Sequence, residues 1–261
     1  MISAAFAARR AEGRPALVPY VTAGYPERGS TVALLEALTE AGGDVLELGI
    51  PFSDPLADGP TIQRSSYASL RNGTTVAGVL EDLGRFRALR TTPVVLFTYL
   101  NPVLRYGFAA FLRDATEAGA DGLLLTDVPT GADPDLEREV VDSRLDLVRL
   151  VAPTTPLERV PDVARGGSGF LYYISRTGVT GERGELRQAL ADEVRGIRAV
   201  VDLPVAVGFG ISTPEQAAEV GAAADGVVVG SALITALDRG GVAAAAELLA
   251  SLRAAVDAGA R

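Results

Sequence analysis

The stretch LELGIPFSDPLADGPTIQ, residues 46–63, joins the end of an apolar run to a stiff and acidic loop. The run, DVLELG over 44–49, carries one carboxylate, Glu47, in its interior. The loop beyond it contains three prolines and two further carboxylates, Asp54 and Asp58. Because an unpaired carboxylate is costly to bury, Glu47 needs either a partner or a chemical task. The same succession of an apolar run and a following segment recurs along the chain and decides the fold.

Eight short apolar runs are spread through the sequence. They are nearly continuous, which is typical of parallel strands covered by helices and not of half-exposed antiparallel strands. The predicted strands are ALVPYVT (16–22), DVLELG (44–49), PVVLFT (93–98), GLLLTD (122–127), LDLVRLV (145–151), GFLYYIS (169–175), PVAVGF (204–209) and GVVVGS (226–231).

Helical patterns follow these runs. The predicted helices are Thr31–Ala41, Val76–Arg90, Ala109–Ala118, Pro134–Ser143, Leu157–Arg165, Leu186–Val200, Pro214–Val220 and Val242–Ala258. Eight strand-then-helix units without an intervening linker predict a single (β/α)8 barrel domain over residues 1–261, with an extra helix, 1–11, closing its bottom. The alternative is an open doubly wound sheet, but the segment after the first run, TAGYPERGS, lacks the usual glycine fingerprint.

The composition excludes several kinds of chemistry. The chain has 261 residues, no cysteine, no histidine and no tryptophan, and all 24 basic residues are arginine. Without cysteine, histidine or lysine there is no thiolate, no Ser-His-Asp triad and no lysine imine with a carbonyl substrate or pyridoxal phosphate. The net charge of −9 argues against a nucleic-acid partner. We also expect a cytoplasmic protein, because there is no signal-peptide core and no apolar run near the roughly 20 residues that span a bilayer.

A phosphate site is predicted at the end of the barrel where the last strands finish. Barrels often bind phosphate with the loops after strands seven and eight, which here read VGFGIS (207–212) and VVGSAL (228–233). Each places a glycine shortly before a serine, and loop six, SRTGVTGERGE (175–185), adds three glycines. Free N–H groups at a helix start attract an anion. The alternative is that these glycines only form tight turns.

The carboxylates near strand ends are candidates for acid–base chemistry. Glu47 is either a general acid/base with a pKa raised by desolvation or half of an ion pair with an arginine. Asp54 and Asp58 precede proline and glycine, so each is also a good turn former, and Asp127 either serves the site or caps a loop. These residues indicate a phosphate-bearing, partly apolar small molecule handled without a metal, an imine or a redox cofactor.

Tyrosines stand near the same strand ends. Tyr20 lies in the first run, Tyr99 follows the third, and either Tyr172 or Tyr173 of the sixth run faces inward, since neighbours on a strand point to opposite sides. Aromatic side chains at these ends either wall an apolar pocket or cap the core.

The string LELGIPFSDPLADGPTIQ closely resembles the signature of the tryptophan synthase alpha subunit family. The strings VPYVTAGYP, TYLNP, LTDVP, YYISRTGVTG, GFGIS and GSALI also occur in the order found in that family, so the resemblance runs nearly end to end. It implies a (β/α)8 barrel that cleaves indole-3-glycerol phosphate to indole and glyceraldehyde 3-phosphate.

The resemblance also implies roles for particular residues. Glu47 matches the general acid/base that protonates indole C3 and helps to remove the glycerol hydroxyl proton, and Asp58 matches the carboxylate that engages the indole N–H. The other matched positions are Thr180 in the closing loop; Gly181, Gly210, Gly230 and Ser231 at the phosphate; Tyr20, Tyr99, Asp127 and Tyr172 at the substrate; and Asp54 and Pro55 facing the beta subunit. The family's beta subunit holds pyridoxal phosphate in an α2β2 complex, so no cofactor and no metal is expected on this chain.

The sequence departs from the family pattern at two positions, and three other functions are alternatives to the one that the resemblance implies. Tyr20 stands where phenylalanine is common in the family, and Pro102 follows Asn101 in TYLNP; neither touches the proposed acid–base pair. A stand-alone indole-3-glycerol phosphate lyase would use the same residues without a partner. A phosphosugar isomerase would leave the long loop string unexplained, and intact Glu47 and Asp58 count against a non-catalytic phosphate-binding barrel.

Overall fold

The described strands form one parallel sheet that closes on itself. The computed structural model describes residues 1–174, 183–208 and 210–259, with 183–188 described by their backbone alone. The strands are β1 (Ala16–Thr22), β2 (Leu46–Gly49), β3 (Val94–Thr98), β4 (Gly122–Leu125), β5 (Asp146–Leu147), β6 (Arg149–Val151), β7 (Leu171–Ile174), β8 (Val205–Gly208) and β9 (Gly226–Val229). Their order in the sheet is β5-β4-β3-β2-β1-β9-β8-β7-β6.

The two ends of this sheet belong to one predicted run. The run 145–151 is interrupted at Val148, so that β5 pairs with β4 and β6 pairs with β7. The prediction of one unbroken strand there is therefore wrong in detail, since the run changes neighbour at its middle. Strands β5 and β6 follow each other directly in the chain and form the two ends of the sheet. Together they occupy one strand position, so the nine strands make a barrel of eight positions. The predicted (β/α)8 barrel is confirmed, and the open doubly wound sheet is excluded.

Helices lie between the strands, as predicted, with two additions. They are α1 (Ile2–Ala11), α2 (Thr31–Glu40), α3 (Pro60–Arg71), α4 (Val76–Arg87), α5 (Leu100–Tyr106), α6 (Phe108–Glu117), α7 (Pro134–Asp142), the 3-10 helix Leu157–Arg159, α8 (Val160–Ala164), α9 (Arg183–Val200), α10 (Pro214–Ala223) and α11 (Ser231–Ala258). Helix α11 begins well before the predicted residue 242 and is kinked at Gly240 and Gly241, where the backbone is not helical.

Helices α3 and α5 were not predicted from the sequence. Helix α3 begins at Pro60, directly after Asp58 and Gly59, and it buries Ser65, Ser66 and Ser69 together with a single large apolar side chain, Ile62. Because three of the four buried positions are serines, the apolar periodicity that reveals an amphipathic helix is missing here. Helix α3 nevertheless holds the end of the acidic loop, because the side chain of Gln63 donates to the carbonyl of Asp58.

The bottom of the barrel is closed by α1. Ile2 and Phe6 of this helix are 0% and 3% exposed, and Phe6 stacks on Phe170 with 5.2 Å between the ring centroids. They pack on the inward side chains of the strand starts, among them Ala16 and Val18. The predicted closing helix is confirmed. Since this end is filled with apolar side chains, the open end is the one where the strands finish.

Aspartates join neighbouring strands at the closed end. The carboxylate of Asp44, at the start of the β2 run, accepts the N–H of Leu17 on β1 at 2.8 Å. Asp121 accepts Val94 N–H at 2.9 Å, and Asp225 accepts Val205 N–H at 2.9 Å. Each of the three also pairs with at least one arginine. Backbone groups at strand starts that lack a ladder partner are thereby satisfied.

Candidate active site

A cavity of about 350 Å³ lies at the open end of the barrel. Seven residues that the sequence analysis singled out line it together: Tyr20, Glu47, Asp58, Tyr172, Gly210, Gly230 and Ser231. They come from three strands, from loop two (residues 50–59) and from the segments that follow β8 and β9. This is the end where barrel enzymes place their active sites. Glu47 and Asp58, the two tyrosines Tyr20 and Tyr172, and the segments after β8 and β9 therefore face one space.

Glu47 enters this cavity from the barrel wall. It is 1% exposed, and its register partners are Tyr20 on β1 and Val95 on β3. Its Oε1 has no hydrogen-bond partner among the described residues, and no described arginine forms an ion pair with it. Burial therefore acts alone and raises the pKa of Glu47 to about 8. The Glu47 carboxyl is thus protonated at neutral pH and holds a proton that it can deliver into the cavity.

Asp58 faces the same cavity from loop two in a more polar setting. Tyr99 donates its phenol hydrogen bond to Asp58 Oδ2 at 3.0 Å. Burial raises the pKa of Asp58 to about 6, and the hydrogen bond from Tyr99 acts in the opposite direction. Helix α3 holds the loop from the other side, because Gln63 Nε2 donates to the carbonyl of Asp58 at 2.8 Å. At neutral pH Asp58 is therefore ionised while Glu47 is not.

Two inward tyrosines stand on opposite parts of the wall, and each is packed against a glycine of the next strand. A β-carbon on Gly49 would lie 2.2 Å from the Tyr20 hydroxyl, and one on Gly208 would lie 2.3 Å from the Tyr172 hydroxyl. Burial is the largest cause that raises the pKa of both phenols, with a further contribution from the charge of Asp58. Both phenols are therefore neutral and form the sides of a mainly apolar slot.

The candidate phosphate arm is the start of α11. Gly230 precedes this helix and Ser231 begins it. The first N–H groups of a helix have no partner inside the helix and carry its positive dipole end, so they attract an anion. Gly210 faces the same region and has φ +75°, a conformation that favours glycine. In the neighbouring segment, the N–H of Ser212 is already used, since it donates to Gln216 Oε1 at 2.8 Å.

The remaining candidate residues lie elsewhere or are not described. Tyr99 is 4% exposed and contacts the site through Asp58. Asp127 accepts the N–H of Leu100 at 2.8 Å and lines a neighbouring cavity of about 280 Å³. Asp54 lines a groove of about 540 Å³ on the outside of loop two, and Pro55 is half-buried nearby. Thr180 and Gly181 lie outside the described residues.

Several cavity residues were not found by sequence reasoning. They include Ile62, Thr126, Leu150 and Ile211. Ile62 belongs to the helix that was not predicted. Leu150 is in a predicted strand, and alternation with the inward Val148 would have placed it inside the barrel. Among the described residues, no group of three or more acidic, histidine or cysteine side chains is arranged to hold a metal, and none of the described helices is long and apolar enough to cross a membrane.

Comparison with known proteins yields one consistent set of relatives. The family model described as tryptophan synthase alpha chain matches residues 6–258. The tryptophan synthase alpha chain of Citrifermentans bemidjiense is 49% identical over 233 residues, which cover 89% of this chain and 87% of that one. The protein of the same name from Gluconacetobacter diazotrophicus is 50% identical over 238 residues, covering 91% and 87%.

Solved structures agree with this set. Tryptophan synthase subunit alpha from Legionella pneumophila superposes with a TM-score of 0.90 at 39% identity, and the match covers 98% of each chain. A chain from the aminoacrylate-bound form of Mycobacterium tuberculosis tryptophan synthase superposes with a TM-score of 0.88 at 38% identity, covering 100% of this chain and 99% of that one.

Proposed function

Because the chain belongs to the tryptophan synthase alpha chain family, we propose that it cleaves indole-3-glycerol phosphate to indole and glyceraldehyde 3-phosphate, as a carbon–carbon lyase. The observation that carries this proposal is the pair of carboxylates on one cavity, with pKa values near 8 for Glu47 and near 6 for Asp58. Two carboxyl groups whose environments separate their pKa values can divide the acid and base roles of one reaction.

The division of work follows from the two protonation states. The neutral Glu47 carboxyl donates its proton to indole C3, while the Asp58 carboxylate accepts a hydrogen bond from the ring N–H and stabilises the positive charge that the ring acquires. The Glu47 carboxylate then takes the proton of the adjacent glycerol hydroxyl. The carbon–carbon bond breaks as the aldehyde forms, and its electron pair returns to the ring, so one proton has been given and one received.

The rest of the cavity suits the two ends of this substrate. Tyr20 and Tyr172 form the walls of an aromatic slot, and the start of α11 with Gly230 and Ser231 offers backbone N–H groups to a phosphate. Gly210 adds a close backbone approach on the same side. By family resemblance we also assign Gly181 to the phosphate and Thr180 to the loop that closes over the substrate.

We propose that the partner is a tryptophan synthase beta subunit, in an α2β2 assembly within the cytoplasm. The surface beside loop two supports this. Leu56, next to Pro55, is 92% exposed and Leu104 of α5 is 54% exposed, and Asp54 lines the groove between these elements. The groove itself is lined by apolar side chains of both elements, among them Phe52, Pro102 and Tyr106, and exposed apolar patches are typical of interaction sites. Since the chain has no lysine, pyridoxal phosphate bound as an imine is assigned to the partner and no cofactor is assigned to this chain.

The direct test is indole release from indole-3-glycerol phosphate by the purified chain, with and without a beta subunit. Slow release alone and strong stimulation by the partner are expected. Fast release without the partner would instead identify a stand-alone lyase. No release in either condition from a folded sample would contradict the proposal, and phosphosugar isomerisation would then be assayed.

A pair of variants tests the roles of the two acids. Glu47→Gln is expected to abolish cleavage while a phosphate-bearing substrate analogue still binds, because the phosphate arm is separate from the carboxylate. Asp58→Asn is expected to lower the cleavage rate strongly, because an amide has no negative charge to stabilise the positive charge on the ring N–H. Cleavage by Glu47→Gln at the wild-type rate would refute the acid–base assignment.

A further inference from the structure

Tyr99 lies between β3 and α5 and packs against loop two, which carries Asp58. It follows Thr98, the last residue of β3, and stands immediately before α5. Its ring lies against that of Phe52 in loop two, with 5.3 Å between centroids. The next backbone N–H, that of Leu100, donates to Asp127 at 2.8 Å and fixes the turn into α5. The Tyr99 phenol therefore reaches loop two from a rigid base.

Two hydrogen bonds at this phenol have a determined direction, and the hydroxyl of Thr126, which donates to the carbonyl of Thr98 at 3.2 Å, is its third polar neighbour. The N–H of Ala57 can only donate, so the Tyr99 oxygen accepts it, at 3.0 Å. The single phenol hydrogen is then free for Asp58 Oδ2, which lies 3.0 Å away. An ionised carboxylate accepts such a bond more strongly than a neutral carboxyl group does. The arrangement thus fits the charged form of Asp58 and one orientation of it.

We propose that Tyr99 is a positioning residue for the cleavage reaction, which holds loop two by the Ala57 N–H and aims the Asp58 carboxylate into the cavity through its phenol hydrogen bond. The expected effect of Tyr99 on the cleavage rate rests on the proposed function, whereas its effect on the Asp58 carboxylate does not. It gives Tyr99 a task behind Asp58 in place of the substrate contact that the family resemblance implied, in keeping with its 4% exposure.

The other groups that face Asp58 do not replace this bond. Glu47 from β2 is neutral at the same pH, and the phenols of Tyr20 and Tyr172 also stay neutral. On α3, Gln63 donates to the carbonyl of Asp58 and not to its carboxylate, while the cation of Arg64 pairs with Asp238 at 2.7 Å. Burial and the Tyr99 hydrogen bond are thus the two influences that set the pKa of Asp58.

The test is the pH dependence of kcat/KM for Tyr99→Phe in the full chain. Without the hydrogen bond from Tyr99, nothing offsets the effect of burial, which raises the pKa of Asp58. The fall of kcat/KM on the acid side of the profile is therefore expected to move to higher pH by about one unit. The rate then falls roughly tenfold below pH 6 but changes much less at pH 8. An acid limb that stays where it is in the wild type would overturn the proposal, because a loss of packing alone lowers activity at every pH.

A second readout does not depend on activity. Carboxyl carbon NMR of the full chain, with Asp58→Asn to assign the resonance, follows the ionisation of Asp58 directly in wild type and in Tyr99→Phe. The matched control is Tyr106→Phe, since Tyr106 donates a similar bond to Asp114 at 2.6 Å outside the cavity. The Asp58 titration is expected to shift in Tyr99→Phe and not in Tyr106→Phe. A wild type that releases no indole refutes the proposed function, whereas an unshifted titration refutes the role of Tyr99.

Discussion

The hydroxyl of Tyr20 occupies the space that a side chain at Gly49 would need. A β-carbon at Gly49 would stand 2.2 Å from this oxygen and 2.7 Å from the ring carbon that bears it. The two strands are held in register there, with Thr22 of β1 opposite Gly49 of β2. The tyrosine ring is buried and lines the cavity, so a displacement of the ring changes the shape of the cavity. Gly49 is therefore required by the aromatic wall and not by its own backbone conformation.

We expect Gly49→Ala to lower kcat/KM by at least about tenfold, because a displacement of the wall of roughly 1 Å costs a large factor in rate. Tyr20→Phe alone is expected to have a mild effect, since the hydrogen bond between the hydroxyls of Tyr20 and Thr22 is long at 3.4 Å. The double variant should recover only part of the loss, as the ring carbons remain too close. Steady-state kinetics of the three variants checks this. Wild-type kinetics in Gly49→Ala would show that the wall yields without consequence.

The sequence was sufficient to predict the barrel and the end that carries the site. Parallel strands that are covered on both sides form continuous apolar runs, so they can be recognised in a single sequence. Glu47 stood out because it interrupts such a run with a charge. The split at Val148 was not predictable in this way, since a change of strand neighbour leaves the apolar character of the run unaltered.

Other parts of the site depend on contacts that only folding creates. Helix α3 was missed because its buried face consists largely of serines, which do not produce an apolar period. The bond between Tyr99 and Asp58 joins two residues far apart in the chain, and it arises only once loop two folds back over the end of β3. Asp127 shows the opposite case, for its place at a strand end was foreseen but its carboxylate caps α5 beside the cavity.

The cleavage rate is expected to be bell-shaped in pH. Activity should be lost as the pH falls through about 6, where Asp58 becomes protonated, and as it rises through about 8, where Glu47 loses the proton that it must donate. The profile of kcat/KM between pH 5 and 9.5 measures both limbs. The small residual activity of Asp58→Asn should no longer fall as the pH drops through about 6. A rate that is constant across this range would contradict the assignment.

The buried acid should also cost stability at alkaline pH. The pKa of Glu47 is raised from 4.5 to about 8 in the folded chain, so the unfolded chain loses this proton first as the pH rises. The folded state is therefore destabilised progressively between these two values, by up to a few kcal/mol, at about 1.4 kcal/mol per pKa unit.

Glu47→Gln removes that ionisation. We expect its advantage in unfolding free energy over wild type to grow from pH 5 to pH 9, as measured by denaturant unfolding at several pH values. Glu139→Gln, on the exposed side of α7, is the control and should show no such trend. A Glu47→Gln advantage that does not change with pH would mean that Glu47 is not held protonated by burial.

The closed end of the barrel should contribute stability without contributing to catalysis. The side chain of Asp121 is 8% exposed; it accepts the N–H of Val94 at 2.9 Å and pairs with Arg87 at 3.3 Å. Asp121→Ala leaves the N–H of Val94 without its acceptor and takes the carboxylate partner from Arg87, which still donates to the carbonyl of Thr92 at 2.9 Å, so a loss of about 2 kcal/mol in unfolding free energy is expected. Asp121→Asn keeps an oxygen for Val94 and should lose less.

The control for this loss is Asp135→Ala. Asp135 also pairs with an arginine, but the pair is exposed at the surface, and such pairs contribute about 1 kcal/mol or less. Urea unfolding of the three variants measures the difference, and kcat of the folded fraction should stay at the wild-type value because Asp121 lies at the end of the barrel opposite the cavity. Equal losses in Asp121→Ala and Asp135→Ala would show that the buried contacts of Asp121 contribute no more to stability than a surface ion pair does.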